Sequence, residues 1–255
     1  MISGAAGDQH AATVSQACFE PGTIKSTYGT GAFLLLNTGS TAVRSENQLI
    51  TTIAYQLEGK PTYALEGSIF NAGTTVQWLR DELEIIKNSS DIEWLAMQAS
   101  GDGGLVIVPA FTGLGRRTGR ADSLAAMFGL TRDTGRAELA RGALEAVVFQ
   151  TFDLLKAMHA DGAPDTTELR VDGVVGNNLF SQMLADIATS MSSAETSETA
   201  LGAAFLAAIG AGHYRNLDEV KDYWNRTASS LRRWQAIFAI GRSPAGMMPC
   251  ESSSP

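Results

Sequence analysis

"GTIKSTYGTGAFLLLNTGS", residues 22–40, decides the fold. Thr23 to Tyr28 alternates in polarity and is rich in β-formers, the period of a strand. Phe33 to Leu36 is a short apolar run bounded by glycines, as a buried strand is. Between them lies Gly29-Thr30-Gly31. A Gly-Thr-Gly corner exposes backbone N–H groups and a hydroxyl with no side-chain wall, which suits a phosphate. The same three residues also make an ordinary tight hairpin turn, and the stretch alone leaves both readings open.

Working outward, "GAAGDQHAATVSQACF" (4–19) starts a helix near Asp8, with Val14, Ala17 and Cys18 recurring at helical spacing. Downstream, Leu49 to Gln56 and Thr62 to Leu65 read as a hairpin across the four- or five-residue loop "LEGKP". Ile69, Val76, Leu79, Leu83 and Ile86 fall on one helical stripe, and residues 88–98 add a shorter helix. Leu105 to Val108 is a compact strand ended by Pro109. Residues 131–160 hold the longest helix, with Asp133 or Thr134 as its cap. "ELRVDGVVGNNLFSQMLADIA" (168–188) is a strand turning through glycines into a helix. "TALGAAFLAAIGAG" is a small-residue helix suited to close packing, and "NLDEVKDYW" is a last amphipathic turn or two. Strands come first and strand–helix alternation follows. The expectation is an α/β domain with a mixed sheet covered by helices, spanning 1–230, with 231–255 a disordered tail.

The chain has 255 residues and a net charge of −8, which argues against a nucleic-acid footprint. It does not argue against phosphate ligands, which local backbone donors bind regardless of net charge. Cys18 and Cys250 make no disulfide framework, and His10, His159 and His213 are too scattered for a zinc site. No apolar run reaches membrane-spanning length, and no basic-then-apolar leader is present, so a cytoplasmic, membrane-free chain is expected.

Three places can carry chemistry. Asp8, at a helix start, is a cap or a general base; Gln9 and His10 share that ambiguity. Thr30 with its glycines is a turn or a phosphate cradle. "DGVVGNN" (172–178) is a strand–helix turn with an Asn cap, or the edge of a nucleotide site. Trp78 and Trp94 read as core or interface, and Arg80-Asp81-Glu82 as a solvated face.

The order of these pieces resembles the C-terminal lobe of the glycerol-kinase branch of the FGGY carbohydrate kinases. "GAAGDQHAA", "YGTGAFLLLNTG", "YALEGSIFNAGTTVQWLRD", "VPAFTGLG", "FGLTRDTGRAELARGALEAVVFQT", "LRVDG" and "TALGAAFLA" fall in family order over roughly residues 2–225. The resemblance implies a ribonuclease H-like fold of the actin, Hsp70 and sugar-kinase type, with ATP in a cleft between two lobes. It implies that Asp8 is the catalytic base toward glycerol, that Gln9 touches a glycerol hydroxyl, and that Phe33 packs on the glycerol carbons. Thr30 and Gly31 would face the ATP phosphates. Gly73 and Gln77 would lie along the adenosine side, and Gly173 and Asn177 would hold the base and ribose. Mg²⁺ would bridge the phosphates. Helix N-termini and turn amides would add positive potential there. The family's glycine-rich phosphate loop, and the Arg, Glu and Tyr that grip glycerol, belong to a first lobe expected to precede Met1. An N-terminal lobe in trans or a second copy is therefore an expected partner. A competing expectation is a non-catalytic, nucleotide-binding half.

The chain departs from the family in three places. Residues 116–120 read Arg-Arg-Thr-Gly-Arg where an Ala-Pro-Tyr-Trp-type run is expected, a pattern that a compensated reading-frame slip would produce. "VDGVVGNN" lacks one glycine. "ATSMSSAETSE" (188–198) is short and polar, which predicts loss of a sheet-edge strand.

Overall fold

The computed structural model describes residues 2–100, 104–113, 123–173, 177–187, 191–193 and 199–227. The Arg-rich run at 116–120 and the tail 231–255 lie outside them. Strand β1 (Thr23–Tyr28) turns at Gly29-Thr30-Gly31 into β2 (Ala32–Gly39), antiparallel, with Ser26 opposite Leu34 and Tyr28 opposite Ala32. β3 (Ile50–Leu57) and β4 (Lys60–Ile69) form a hairpin that adds to β2. Its turn is Glu58-Gly59 alone, not the longer loop expected. Leu57 and Lys60 pair directly, and φ is +50° at Glu58 and +77° at Gly59. Two positive φ values give the mirror-image turn that matches strand twist, so residues read as loop join the ladder.

Two short strands form a separate small hairpin, β5 (Val106–Val108) with β6 (Ala126–Phe128). β7 (Glu168–Asp172) lies parallel to β1, and β8 (Met191–Ser193) parallel to β7. The main sheet runs β3-β4-β2-β1-β7-β8, mixed as expected. The edge strand expected to be lost is therefore retained over three residues. Edge pairing uses backbone groups, so a polar sequence does not forbid it.

Register gives the sheet two unlike faces. Ile24, Tyr28, Leu34, Leu36, Leu65, Leu169 and Val171 share one face and are buried. Against them packs the long helix α4 (Arg136–Ala160) through Ala140, Leu144, Val147 and Leu154, forming one continuous core. Each buried Leu or Ile contributes about 1.5–3 kcal/mol. The opposite face carries Lys25, Thr27, Phe33, Leu35, Asn37, Arg170 and Asp172. It is covered by α1 (Asp8–Ser15), which is packed on α6 (Thr199–Gly210). The two helices touch so closely that a Cβ on Gly202 would lie 1.7 Å from the Ala11 carbonyl oxygen.

Helix ends differ from the periodic reading. α2 spans only Gly73–Asp81. Ile69 belongs to β4, and Leu83 and Ile86 lie beyond the helix, which Glu84 at φ +51° helps to stop. α3 is Asp91–Ala96; its Ile92 and Ala96, four apart, face inward, so Trp94 points out and is 70% exposed. Of the two readings, core or interface, that removes core for Trp94. Trp78 does pack on the core, its ring 5.2 Å from Phe111. The cap of α4 is Gly135, not Asp133 or Thr134. Glu138 reaches back to accept from the Gly135 N–H at 2.9 Å, and this bond holds its carboxyl down to about 2. α5 (Asn178–Ile187) and α7 (Leu217–Thr227) complete the elements.

Candidate functional site

Three glycine-bearing turns meet at the carboxyl end of β1. The Gly29-Thr30-Gly31 turn lies on the start of α2. Gly73 donates its N–H to the Gly29 carbonyl at 2.9 Å, and Thr30's carbonyl accepts from the Ala72 and Thr74 N–H groups at 3.1 Å each. A Cβ on Gly73 would lie 2.4 Å from the Gly29 oxygen, so only glycine permits this approach. From the other side, Gly173 follows β7 at φ +90°, and a Cβ there would lie 2.0 Å from the Tyr28 carbonyl. Thr30, Gly31, Gly73 and Gly173 are thus brought together, with Thr30 exposed at the tip. Gln77 lies one turn along α2 from Gly73 and is exposed. Asn177 accepts from the Phe180 N–H at 2.8 Å, so its side chain caps α5.

One expectation changes. The first amides of α2 are engaged by the turn and do not point free toward a ligand. What they do is brace the turn, with Thr30 exposed at that corner and the Thr74 hydroxyl donating to its carbonyl at 3.0 Å.

Asp8 opens α1 after Gly7, whose extended backbone (ψ 160°) releases the chain into the helix. The Asp8 carboxyl is exposed and is held below the usual carboxylate range. The Gln9 backbone N–H is the largest cause; the Gln9 amide, which donates at 3.2 Å, comes next. Burial opposes the shift, and the Lys25 charge adds to it. Gln9 Oε1 in turn accepts from the Lys25 ammonium. Phe33 is 38% exposed on this same face, opposite Thr27 and two residues nearer the glycine turn than Lys25. Asp8, Gln9 and Phe33 therefore share one face of the sheet, and Thr30 ends that face. From Lys25 to Thr30 is five residues, about 16 Å of strand at most. His10 leaves this line: its Nε2 meets Thr52 Oγ on β3 at 3.2 Å. A groove of about 930 Å³ lined by Gly4, His10, Tyr55 and Arg215 lies apart and includes neither Thr30 nor Gly73.

A buried polar layer escaped the sequence reading. Lys25 is 0% exposed in the middle of the sheet, and burial pushes its ammonium down to about 8. Beside it, Gln16 donates to Asp172 at 2.6 Å, and Arg170 donates to the Ala17 carbonyl at 2.9 Å. Lys25 at an alternating position of a strand whose other face is apolar is the signal that was there to find. Arg170 and Asp172 repeat it on β7.

With this geometry in place, the likenesses have a physical basis. The C-terminal domain of the FGGY family of carbohydrate kinases matches residues 24–211. The chain is 55% identical over 228 residues to the glycerol kinase of Xanthobacter autotrophicus and 50% identical over 227 residues to glycerol kinase 1 of Pseudomonas aeruginosa. In both cases 88% of this chain and 46% of the relative are covered. It spans about half the length of these curated relatives. Among solved structures, a Plasmodium falciparum glycerol kinase with ADP superposes with a TM-score of 0.81 at 38% identity, over 88% of this chain and 45% of that one. A xylulose kinase from Lactobacillus acidophilus shares the fold, with a TM-score of 0.72 at 19% identity over 87% of this chain and 44% of that one. No described helix is long and apolar enough to cross a membrane. The mixed sheet is that of the actin, Hsp70 and sugar-kinase fold, and the chain belongs to the FGGY family of carbohydrate kinases.

Proposed function

We propose that this chain supplies the catalytic base and the nucleotide-facing wall for ATP-dependent phosphorylation of glycerol, with residues 1–230 as one C-terminal kinase domain acting in the cytoplasm. The observation that carries this reading is the placement of an ionised Asp8 and a half-exposed Phe33 on one sheet face that ends at the glycine-walled Thr30 turn.

Asp8 orients the attacking glycerol hydroxyl and takes its proton as the oxygen bonds to phosphorus. Its low proton affinity suits acceptance late in the step, once the hydroxyl has become acidic. The exposed polar end of Gln9 and the ring of Phe33 hold the polyol, one by hydrogen bond and one by apolar contact. Thr30 and Gly31 face the phosphates, and Gly73 and Gly173, by letting their turns close on the Gly29 and Tyr28 carbonyls, hold together the wall against which the nucleotide lies. Gln77 and Asn177 lie on the adenosine side. Mg²⁺, bound with the nucleotide, would supply charge neutralisation at the phosphates. Among the described residues no group of three or more carboxylate, His or Cys side chains could hold a metal. Mg²⁺ needs only one or two carboxylates beside substrate phosphates and water, and Asp8 would be the carboxylate of this chain on the proposed substrate side.

A second reading follows from the half-length coverage of the relatives. Alone, the chain binds nucleotide without turnover, and a partner lobe completes the site. Positioning supplies most of the rate in such transfers, and half of the grip is elsewhere. Glycerol-dependent ADP formation, measured with the chain alone and with a separately expressed N-terminal kinase lobe, separates the two. Turnover by the chain alone removes the second reading. No turnover in either case, with nucleotide bound, removes the first.

A further inference from the structure

The proposed mechanism leaves the buried charges of Lys25, Arg170 and Asp172 unused. Lys25 is fully buried in a central strand, on the sheet face opposite the apolar core, directly under the amino end of α1. Ammonium is a donor only, so the end of the Gln9 amide that meets it is the oxygen. That contact fixes the otherwise two-fold amide, and its NH₂ end is then the one that faces Asp8 Oδ2 at 3.2 Å. The backbone of Gln9 is held as well, its carbonyl accepting from Thr13 Oγ at 2.9 Å.

We infer that Lys25 is a positioning residue: its buried ammonium sets the orientation of the Gln9 amide, and the amide in turn fixes and stabilises the Asp8 carboxylate. This explains why a charge is kept in a layer where burial disfavours it. The charged and titratable groups that face Lys25 are Asp8 and the Cys18 thiol from α1 and its C-terminal turn, Glu66 from β4, and, from β7, Asp172 and the like-charged Arg170 that pairs with Lys25 in register. Asp172 is the strongest of these in keeping Lys25 protonated. Its Oδ2 is engaged by Gln16, and its Oδ1 has no hydrogen-bond partner among the described residues. Asp172 therefore acts on Lys25 through its field and leaves the ammonium's hydrogen bond to Gln9. The arrangement gives the base a relay of two side chains, Lys25 to Gln9 to Asp8, anchored in the sheet. The inference rests on the reading of Asp8 as the base, but its test does not use turnover.

The test is a ¹³C NMR titration of the Asp8 carboxyl in the full 255-residue chain, in wild type, Lys25→Met, Gln9→Leu and the double variant. Lys25→Met nearly preserves length and volume while removing the donor. The expected result is an upward shift of the Asp8 midpoint in each single variant, with the double variant above Gln9→Leu only by the loss of the direct Lys25 field and clearly below the sum of the two single shifts. An unmoved midpoint in Lys25→Met, or single effects that add in full, would overturn the relay. Should near-UV circular dichroism show Lys25→Met unfolded, Gln9→Leu carries the test at a half-buried helix end. There the Lys25 Cε midpoint falls if the amide holds the ammonium, and stays put if it does not. A working relay in a chain that gives no phosphoryl transfer even when complemented with an N-terminal kinase lobe would reject the role of Asp8 and leave the relay standing.

Discussion

Replacing Gly173 by Ala tests the convergence of the three turns. Two costs add. At φ +90° an Ala residue costs about 1–2 kcal/mol relative to glycine. Its Cβ would also lie 2.0 Å from the Tyr28 carbonyl oxygen and 2.9 Å from the carbonyl carbon, so the turn must retreat by roughly an ångström. Retreat loosens the parallel pairing where Thr27 meets Asp172, one or two ladder hydrogen bonds at ~1 kcal/mol each. The expected loss is about 2–4 kcal/mol, a large part of the ~5–15 kcal/mol a domain has. Gly162 supplies the control. It has φ +80° and nothing within 4 Å of an added methyl, so Gly162→Ala bears the conformational cost alone. Urea unfolding followed by tryptophan fluorescence reads both variants. Nucleotide affinity, read by titration with an ATP analogue, should fall for Gly173→Ala and hold for Gly162→Ala. Equal unfolding midpoints for the two would refute the close approach of β7's turn to β1.

Stability should also respond to pH in a specific way. Folded Lys25 gives up its proton near pH 8 and the unfolded side chain near 10.5, so above pH 8 the unfolded chain holds more protons and stability rises, by up to about 1.4 kcal/mol per pH unit. Cys18, pushed up by burial to about 12 from 9.0, opposes this above pH 9, and the rise should flatten there. Lys25→Met removes the rise; urea midpoints at pH 7, 8, 9 and 10 check it, and a flat wild-type profile contradicts it. Acid tests the α4 cap: Glu138 is held down to about 2 by the Gly135 N–H, so its contribution is complete above its ordinary value and fades as pH falls toward 2. Glu138→Gln should flatten the acid limb of the unfolding curve, and an unchanged limb counts against the cap. Leu154→Ala, beneath the sheet on α4, should cost ~2–5 kcal/mol by denaturant unfolding. A cost under ~1 kcal/mol would place that side chain outside the core.

The sequence was most informative where a periodic pattern met glycine. Residues 23–28 and 33–36 carried β1 and β2, and the Gly-Thr-Gly corner marked the turn that the structure places between them. Asp8 was legible as a helix start because Gly7 and an acidic first turn announce one. Boundaries were less legible. Leu83 and Ile86 continue an apolar period past the end of α2, because burial depends on the core and not on helix continuity. The Glu58-Gly59 turn was hidden because Leu57, Lys60 and Pro61 look like loop residues until register pairs them. The Lys25 layer was missed for a related reason. A strand lysine reads as solvent-facing by default, and only the docking of α1, through contacts such as Gln16 with Asp172 from far along the chain, makes that face an interior. Asn177 remains double in meaning: its oxygen caps α5 while the residue stands beside the proposed nucleotide edge.

The central claim is that Asp8 acts on a glycerol hydroxyl at a triphosphate held by the Thr30 turn. The direct measurement is glycerol-dependent ADP formation by this chain complemented with an N-terminal kinase lobe, comparing wild type with Asp8→Asn. The account predicts turnover in wild type and its loss, by a factor of ~10² or more, in Asp8→Asn, with nucleotide affinity unchanged. Undiminished turnover by Asp8→Asn would contradict it.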